Sequence, residues 1–298
     1  QPNGPSRMAG HACLLQDPLL TGTNDWQELS KTHDAISKDK TEVLHRLQTH
    51  YFPLYFPEVD RFRHNSRSEW FFRFLYEFPT PHRITARTRE EFIGEAWETV
   101  GRKVNKHRYL SDIYDTAQES AGMPIDESSA AYTMYRLVIQ QMRQLIRARD
   151  QIEHEAQVQL GDHQDFQRLQ QLPGVGPIHA LTILAEAGDL RRFGHHKQFL
   201  KYCGFDLATH QSGQFRGQSK LSKYGNSRLR RAFWMAGQVA VRQRENSFRD
   251  KFNRYVARDR DNRDLRRKAF TAVAVKMARV AYALIKHETD YRPFHGVR

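Results

Sequence analysis

Ser212 is the one hydroxyl between His210 and Gly217, and Gly213 beside it leaves its side chain unobstructed. It lies in Gln211-Ser212-Gly213-Gln214-Phe215-Arg216-Gly217, a stretch followed by Lys220-Leu221-Ser222-Lys223-Tyr224-Gly225-Asn226. Gly213, Gly217 and Gly225 admit backbone conformations closed to other residues. Arg216, Lys220 and Lys223 can neutralise a phosphate. An apolar helix carrying Leu229, Phe233, Met235 and Val239 resumes after Asn226, with Arg228, Arg230 and Arg231 in its first turns. Cations there oppose the helix dipole, which predicts a compensating anion from outside the chain. A serine in this setting has two chemistries open to it. It can hydrogen-bond a bound phosphate, or attack one while the cations stabilise the crowded, charged transition state. The residues alone favour the first.

A second motif is Leu172-Pro173-Gly174-Val175-Gly176-Pro177-Ile178, set between a polar helical pattern and an apolar one. This is the pattern of a helix-hairpin-helix. Its glycines allow close backbone approach, and the N–H groups of Gly174, Val175 and Gly176 at the second helix's start can bind a DNA phosphate without reading base sequence. The plainer alternative is a tight turn between helices with no ligand. Other candidates are weaker. His195-His196 has no partners at metal-ligand spacing, and no Cys/His cluster suggests zinc. Asp259, Asp261 and Asp264 alternate with arginines, as in a solvated, salt-bridged segment. No metal ligands are assigned.

The elements that must hold these motifs read as mainly α-helical. Residues 25–51, 69–78, 88–100 and 110–119 carry helical patterns. Pro79 and Pro81 end the second of these, and Thr88 with Glu91 reads as a capping box opening the third. In the longest segment, about 128–160, Tyr135, Val138, Met142, Leu145, Arg149, Ile152 and Ala156 recur at alternating steps of three and four. That is a coiled-coil seam about 50 Å long if wholly helical. Arg149 interrupts it, and an intramolecular helical hairpin accounts for the spacing equally well. A short β-ribbon is expected around 207–221. The organisation expected is an irregular N-terminal remnant at 1–24, a helical linker region at 25–125, a long coiled-coil-like helix at 126–163 and a basic C-terminal domain at 164–298.

The charge is lopsided. The 298 residues carry a net charge of +13, but Arg191–Arg298 alone holds 26 Lys/Arg against 8 Asp/Glu. A polyanion-binding surface therefore belongs to the last third of the chain. No apolar run approaches the roughly 20 residues of a membrane span, and two cysteines make no disulfide framework. A cytoplasmic, nucleoid-associated protein without a membrane partner is expected.

The run from Leu172 to Arg231 resembles the C-terminal transposase domain of the insertion-sequence-110 family, which includes the insertion-sequence-1111 branch. The resemblance rests on Pro173-Gly174-Val175-Gly176-Pro177, Phe199-Leu200-Lys201-Tyr202-Cys203-Gly204, Ser212-Gly213, Phe215-Arg216-Gly217 and Leu221-Ser222-Lys223-Tyr224-Gly225-Asn226 with Leu229-Arg230. More loosely, the helices from 25 to 160 look like the family's linker and coiled coil. The resemblance implies a DNA recombinase that moves its own element. It implies Ser212 as a nucleophile joined transiently to DNA, an element-encoded bridge RNA, and a homo-oligomer acting on element ends and target. It also implies an N-terminal RuvC-like domain whose four acidic residues bind magnesium. No stretch here matches that domain, so the chain is expected to be a C-terminal portion without a cofactor of its own, and its catalysis alone is in doubt. Two rival readings remain: a non-catalytic DNA-binding remnant, and a helical scaffold that binds RNA.

Overall fold

The computed structural model describes residues 23–63, 69–101, 104–208, 211–212, 215–216, 220–222, 224–243 and 246–292; between 207 and 220 only the backbone pairing is described. The fold is mainly α, as the patterns predicted. It divides into two compact units, one formed by Lys31–Glu155 and the other by Gln1–Ser30 with Ala156–Arg298.

In the first unit, α1 (Thr23–Arg46, entered from the other unit) continues through a π-helical turn, Leu47–Tyr51, into α2 (Phe52–Tyr55). Then come α3 (Glu69–Glu77), α4 (Pro81–Thr85), α5 (Arg89–Ala96), α6 (Lys106–Gln118) and α7 (Ala130–Leu160). The aromatic run becomes core: Phe71, Phe72, Phe74 and Leu75 of α3 are fully buried. Each contributes about 1.5–3 kcal/mol by leaving water. Where the prolines end α3, Thr80 caps α4 by accepting from the Arg83 N–H. The Thr88–Glu91 capping box forms with both reciprocal bonds.

From Tyr135 to Leu145 the seam of α7 is occupied within this unit. Tyr135 lies 5.1 Å from Tyr51, ring on ring, and Val138 and Met142 are buried in the same cluster. Glu69 of α3 accepts from Arg143 at 3.2 Å and Arg147 at 2.9 Å. Arg149, the break in the heptad pattern, is buried and pairs with Asp150 at 2.9 Å and Glu153 at 3.5 Å. The apolar stripe serves the intramolecular packing that its spacing equally allowed.

The second unit holds α8 (Gln164–Gln170), α9 (Pro177–Ala187), α10 (His196–Tyr202), α11 (Ser227–Arg242), α12 (Ser247–Val256) and α13 (Arg263–Lys286). Asn226, Asn246 and Asn262 cap the last three, each side-chain oxygen accepting from backbone N–H groups of the first turn. Helix α13 is the hub. Its buried Val273, Met277, Ala281 and Ile285 share one core with Phe199 of α10, Phe233 of α11 and Phe248 of α12. The core-facing side of α11 corrects the sequence reading. Met235 and Val239 are exposed, whereas Ala232, Ala236, Gly237 and Ala240 turn inward. Small residues let the helices approach closely; a Cβ on Gly237 would stand 3.2 Å from the Val273 side chain.

Candidate nucleic-acid interface

Between α10 and α11 the backbone forms the expected ribbon. Strand β1 (Leu207–Ala208) pairs antiparallel with β4 (Lys220–Leu221), placing Leu207 opposite Leu221 and Ala208 opposite Lys220. Farther out, β2 (Gln211–Ser212) pairs with β3 (Phe215–Arg216), placing Ser212 opposite Phe215 and Gln211 opposite Arg216. Gly213, Gly217 and Lys223 lie outside the described residues.

The base of the ribbon is closed by the glycine motifs. The Ser222 N–H donates to the Asp206 carbonyl at 2.8 Å, and the Asn226 N–H to the Tyr202 carbonyl at 2.7 Å. Gly225, at φ 134°, passes so close that a Cβ would stand 2.6 Å from both the Gly204 nitrogen and the Tyr202 oxygen. Gly204, at φ 73°, lies against the Arg230 guanidinium. The two motifs therefore clamp the chain where it leaves and re-enters the helical core. Cys203 is buried there, and burial pushes its thiol well above the ordinary range, which leaves it un-ionised and unreactive.

The arginines at the start of α11 have protein partners. Arg228, expected to meet an outside anion, pairs instead with Glu186 of α9 at 3.0 Å and donates to the Ser30 hydroxyl at 2.9 Å. Glu186 also accepts from the Asn226 amide at 2.7 Å. One carboxylate thus compensates the cation and holds the cap that begins the helix. Nothing in the residue spacing announced Glu186, because its role depends on α9 meeting α11. Arg230 donates to the Cys203 carbonyl at 3.4 Å. Arg231 is exposed and, with Arg230, Trp234, Phe205, Leu221 and Ser227, borders a cavity of about 390 Å³ at the foot of the ribbon.

The Leu172–Ile178 motif forms the turn between α8 and α9. Its glycines differ in use. Gly174, at φ 85°, is pressed against the α11 backbone, where a Cβ would stand 2.8 Å from the Ala240 nitrogen and closer still to the Ala236 oxygen. Val175 is buried and its N–H donates to the Leu172 carbonyl at 2.9 Å. Gly176 is the N-cap of α9, and a Cβ there would meet nothing. Of the motif's two glycines, Gly176 alone would admit a Cβ without contact.

An ion network fastens the hairpin to the rest of the unit. Asp165 of α8 accepts from Arg191 at 2.6 and 3.0 Å and from Arg168 at 3.0 Å, while Arg191 also reaches Asp189 and Glu288. Burial would raise the Asp165 carboxyl; the hydrogen bonds and charge of Arg191, then Arg168, outweigh it and hold the carboxyl below its usual range. Among the described residues, no three His, Cys, Asp or Glu side chains converge to hold a metal ion. No helix among them is long and apolar enough to cross a membrane.

Residues 166–253 match the sequence profile of the Transposase IS116/IS110/IS902 family. The chain is similar to a "Probable family 20 transposase" of Pseudomonas aeruginosa, 32% identical over 142 residues, which span 48% of this chain and 41% of that protein. It is also similar to the "Transposase for insertion sequence element IS1111A" of Coxiella burnetii, 31% identical over 130 residues, spanning 44% of this chain and 35% of that one. The chain thus matches less than half the length of either relative.

Proposed function

We propose, from the match of residues 166–253 to the Transposase IS116/IS110/IS902 family profile, that the chain is the DNA-handling portion of an insertion-element recombinase and that Ser212 is its nucleophile. The observation that carries this reading is the family match itself, which spans the ribbon bearing Ser212 within the most basic third of the chain. In the proposed step the Ser212 Oγ attacks a DNA phosphorus, a P–O bond forms, and a deoxyribose oxygen leaves and takes up a proton. The bond energy is kept in the phosphoserine, so a second sugar oxygen can reverse the step on another strand. The clamped base at Gly204 and Gly225 fixes where the ribbon springs from. Arg216, Lys220, Lys223 and Arg231, with the open α9 start at Gly176, bind the flanking phosphates. Binding of element ends and target, choice of site through a bridge RNA, and self-association belong to this proposal, as does magnesium held by a RuvC-like domain outside the residues here.

The test is strand joining on DNA carrying element ends, with and without a RuvC-like domain supplied in trans. Joined product that depends on Ser212 supports the enzyme. Tight binding of ends without product, even with that domain present, marks a binding remnant instead. Preference for structured RNA over duplex DNA marks the scaffold.

A further inference from the structure

Away from the ribbon, Lys251, Arg254, Tyr255 and Arg258 line a separate cavity of about 380 Å³, with no carboxylate in its wall among the described residues. Spacings of three, one and three residues set them along one side of α12 and the turn after it. Tyr255 is 43% exposed, although an aromatic ring of this size normally finds cover. Arg254 has a backbone partner, the Asp250 carbonyl at 3.4 Å, and no carboxylate among the described residues pairs with Lys251, Arg254 or Arg258. More positive charge backs this wall. Burial first, then Arg279 and Arg254, pulls the Lys251 ammonium below its usual range. Burial, Lys251 and Arg254 do the same to Lys276 of α13, with Asp250 opposing them. Lys276 itself is engaged, donating to the Ser247 carbonyl at 2.8 Å. Cations brought together at a cost, around a hollow and beside a ring that stacks on no other ring among the described residues, are arranged for an anion that brings its own aromatic face.

We propose that this hollow seats a single-stranded stretch of nucleic acid, with backbone phosphates on Lys251, Arg254 and Arg258 and an unpaired base stacked on Tyr255. The proposal rests on the nucleic-acid reading above and adds a substrate class and a seat for it. A duplex keeps its bases stacked inside and offers only phosphates, so it would leave the ring unused. The hollow lies at the small end of the roughly 300–1,000 Å³ typical of ligand sites, enough for one unit of a polymer rather than a helix.

The experiment is fluorescence anisotropy with the whole chain and labelled oligo-dT, oligo-U and duplex DNA of about 15 nucleotides or base pairs. Tyr255→Ala is expected to weaken oligo-dT binding about tenfold and duplex binding less than about twofold, because base–aromatic stacking is worth roughly 1–3 kcal/mol. Tyr255→Phe should retain the affinity. Arg258→Gln, beyond the end of α12, should weaken oligo-dT and flatten its salt dependence. An equal loss on oligo-U shows a seat for either sugar, whereas a loss on oligo-dT alone assigns the seat to DNA. Unchanged oligo-dT affinity in Tyr255→Ala, or an equal loss on the duplex, overturns the seat while leaving the nucleic-acid reading intact. A wild-type chain that binds none of the three sinks that reading as well.

Discussion

Gly174 and Gly176 stand two residues apart in one motif yet carry opposite constraints. Gly174 has φ 85° and backbone atoms of α11 where a side chain would go; Gly176 has an ordinary φ and empty space. Gly174→Ala should therefore cost at least about 2 kcal/mol of stability, from strain and the forced retreat of α11. Gly176→Ala should cost under about 1 kcal/mol, since at an N-cap alanine is merely a poorer choice. Urea unfolding of the two variants checks this; equal losses would contradict the packing described. Sequence reading found both glycines but gave them one role, because the partner of Gly174 lies some 60 residues on in α11. It also treated Arg228, Arg230 and Arg231 as a set. Their surroundings separate them: Arg228 faces Glu186, Arg230 faces the Cys203 carbonyl, and Arg231 reaches the surface.

At the scale of elements, the Asp165–Arg191 pair ties α8 to the turn before α10 and, through Glu288, to the end of α13. The Asp165 carboxyl is depressed in the folded chain. Its contribution is therefore complete above the unfolded value near 3.9 and is lost as pH falls through the lower folded value. Asp165→Asn should cost about 1–3 kcal/mol at neutral pH, allowing for the part-exposed Arg191. The gap between variant and wild type should narrow only below about pH 4. Thermal melting across pH 3–7 checks the window, and a gap that closes on the alkaline side would contradict it. Most helices were legible locally, since prolines, the Thr88–Glu91 box and the Phe71–Leu75 run are short-range signals. The use of the α7 seam was not, because a heptad stripe fits a partner chain or a hairpin equally well. Tyr135 and Val138 are covered by residues from the same unit. Val138→Asp should consequently unfold that unit, at a cost of about 3 kcal/mol or more. A folded variant that only changed its oligomeric state, read by circular dichroism and light scattering, would restore the zipper.

For the whole molecule, the excess of 26 basic over 8 acidic residues in the last third predicts binding driven by counterion release. Duplex affinity should fall by about a hundredfold between 50 and 200 mM salt if about four phosphates are contacted; a flat titration would show that the charge has another use. Charge asymmetry and the family match both support the proposed nucleic-acid role of this region, but neither distinguishes a chain that holds DNA from one that breaks and rejoins it. That distinction falls on one oxygen. A serine that only binds phosphate contributes roughly 1.5–3 kcal/mol through a hydrogen bond to a charged group, so its loss weakens binding and spares some reaction. A nucleophile has no substitute in alanine. The decisive measurement is the denaturant-resistant protein–DNA adduct formed on labelled element ends, with a RuvC-like domain present, by wild type and Ser212→Ala at matched DNA occupancy. The expected result is an adduct in the wild type, none in the variant, and DNA binding within about threefold of wild type. Adduct formed normally by Ser212→Ala would contradict the assignment and move the search to Ser219, Ser222 and Ser227.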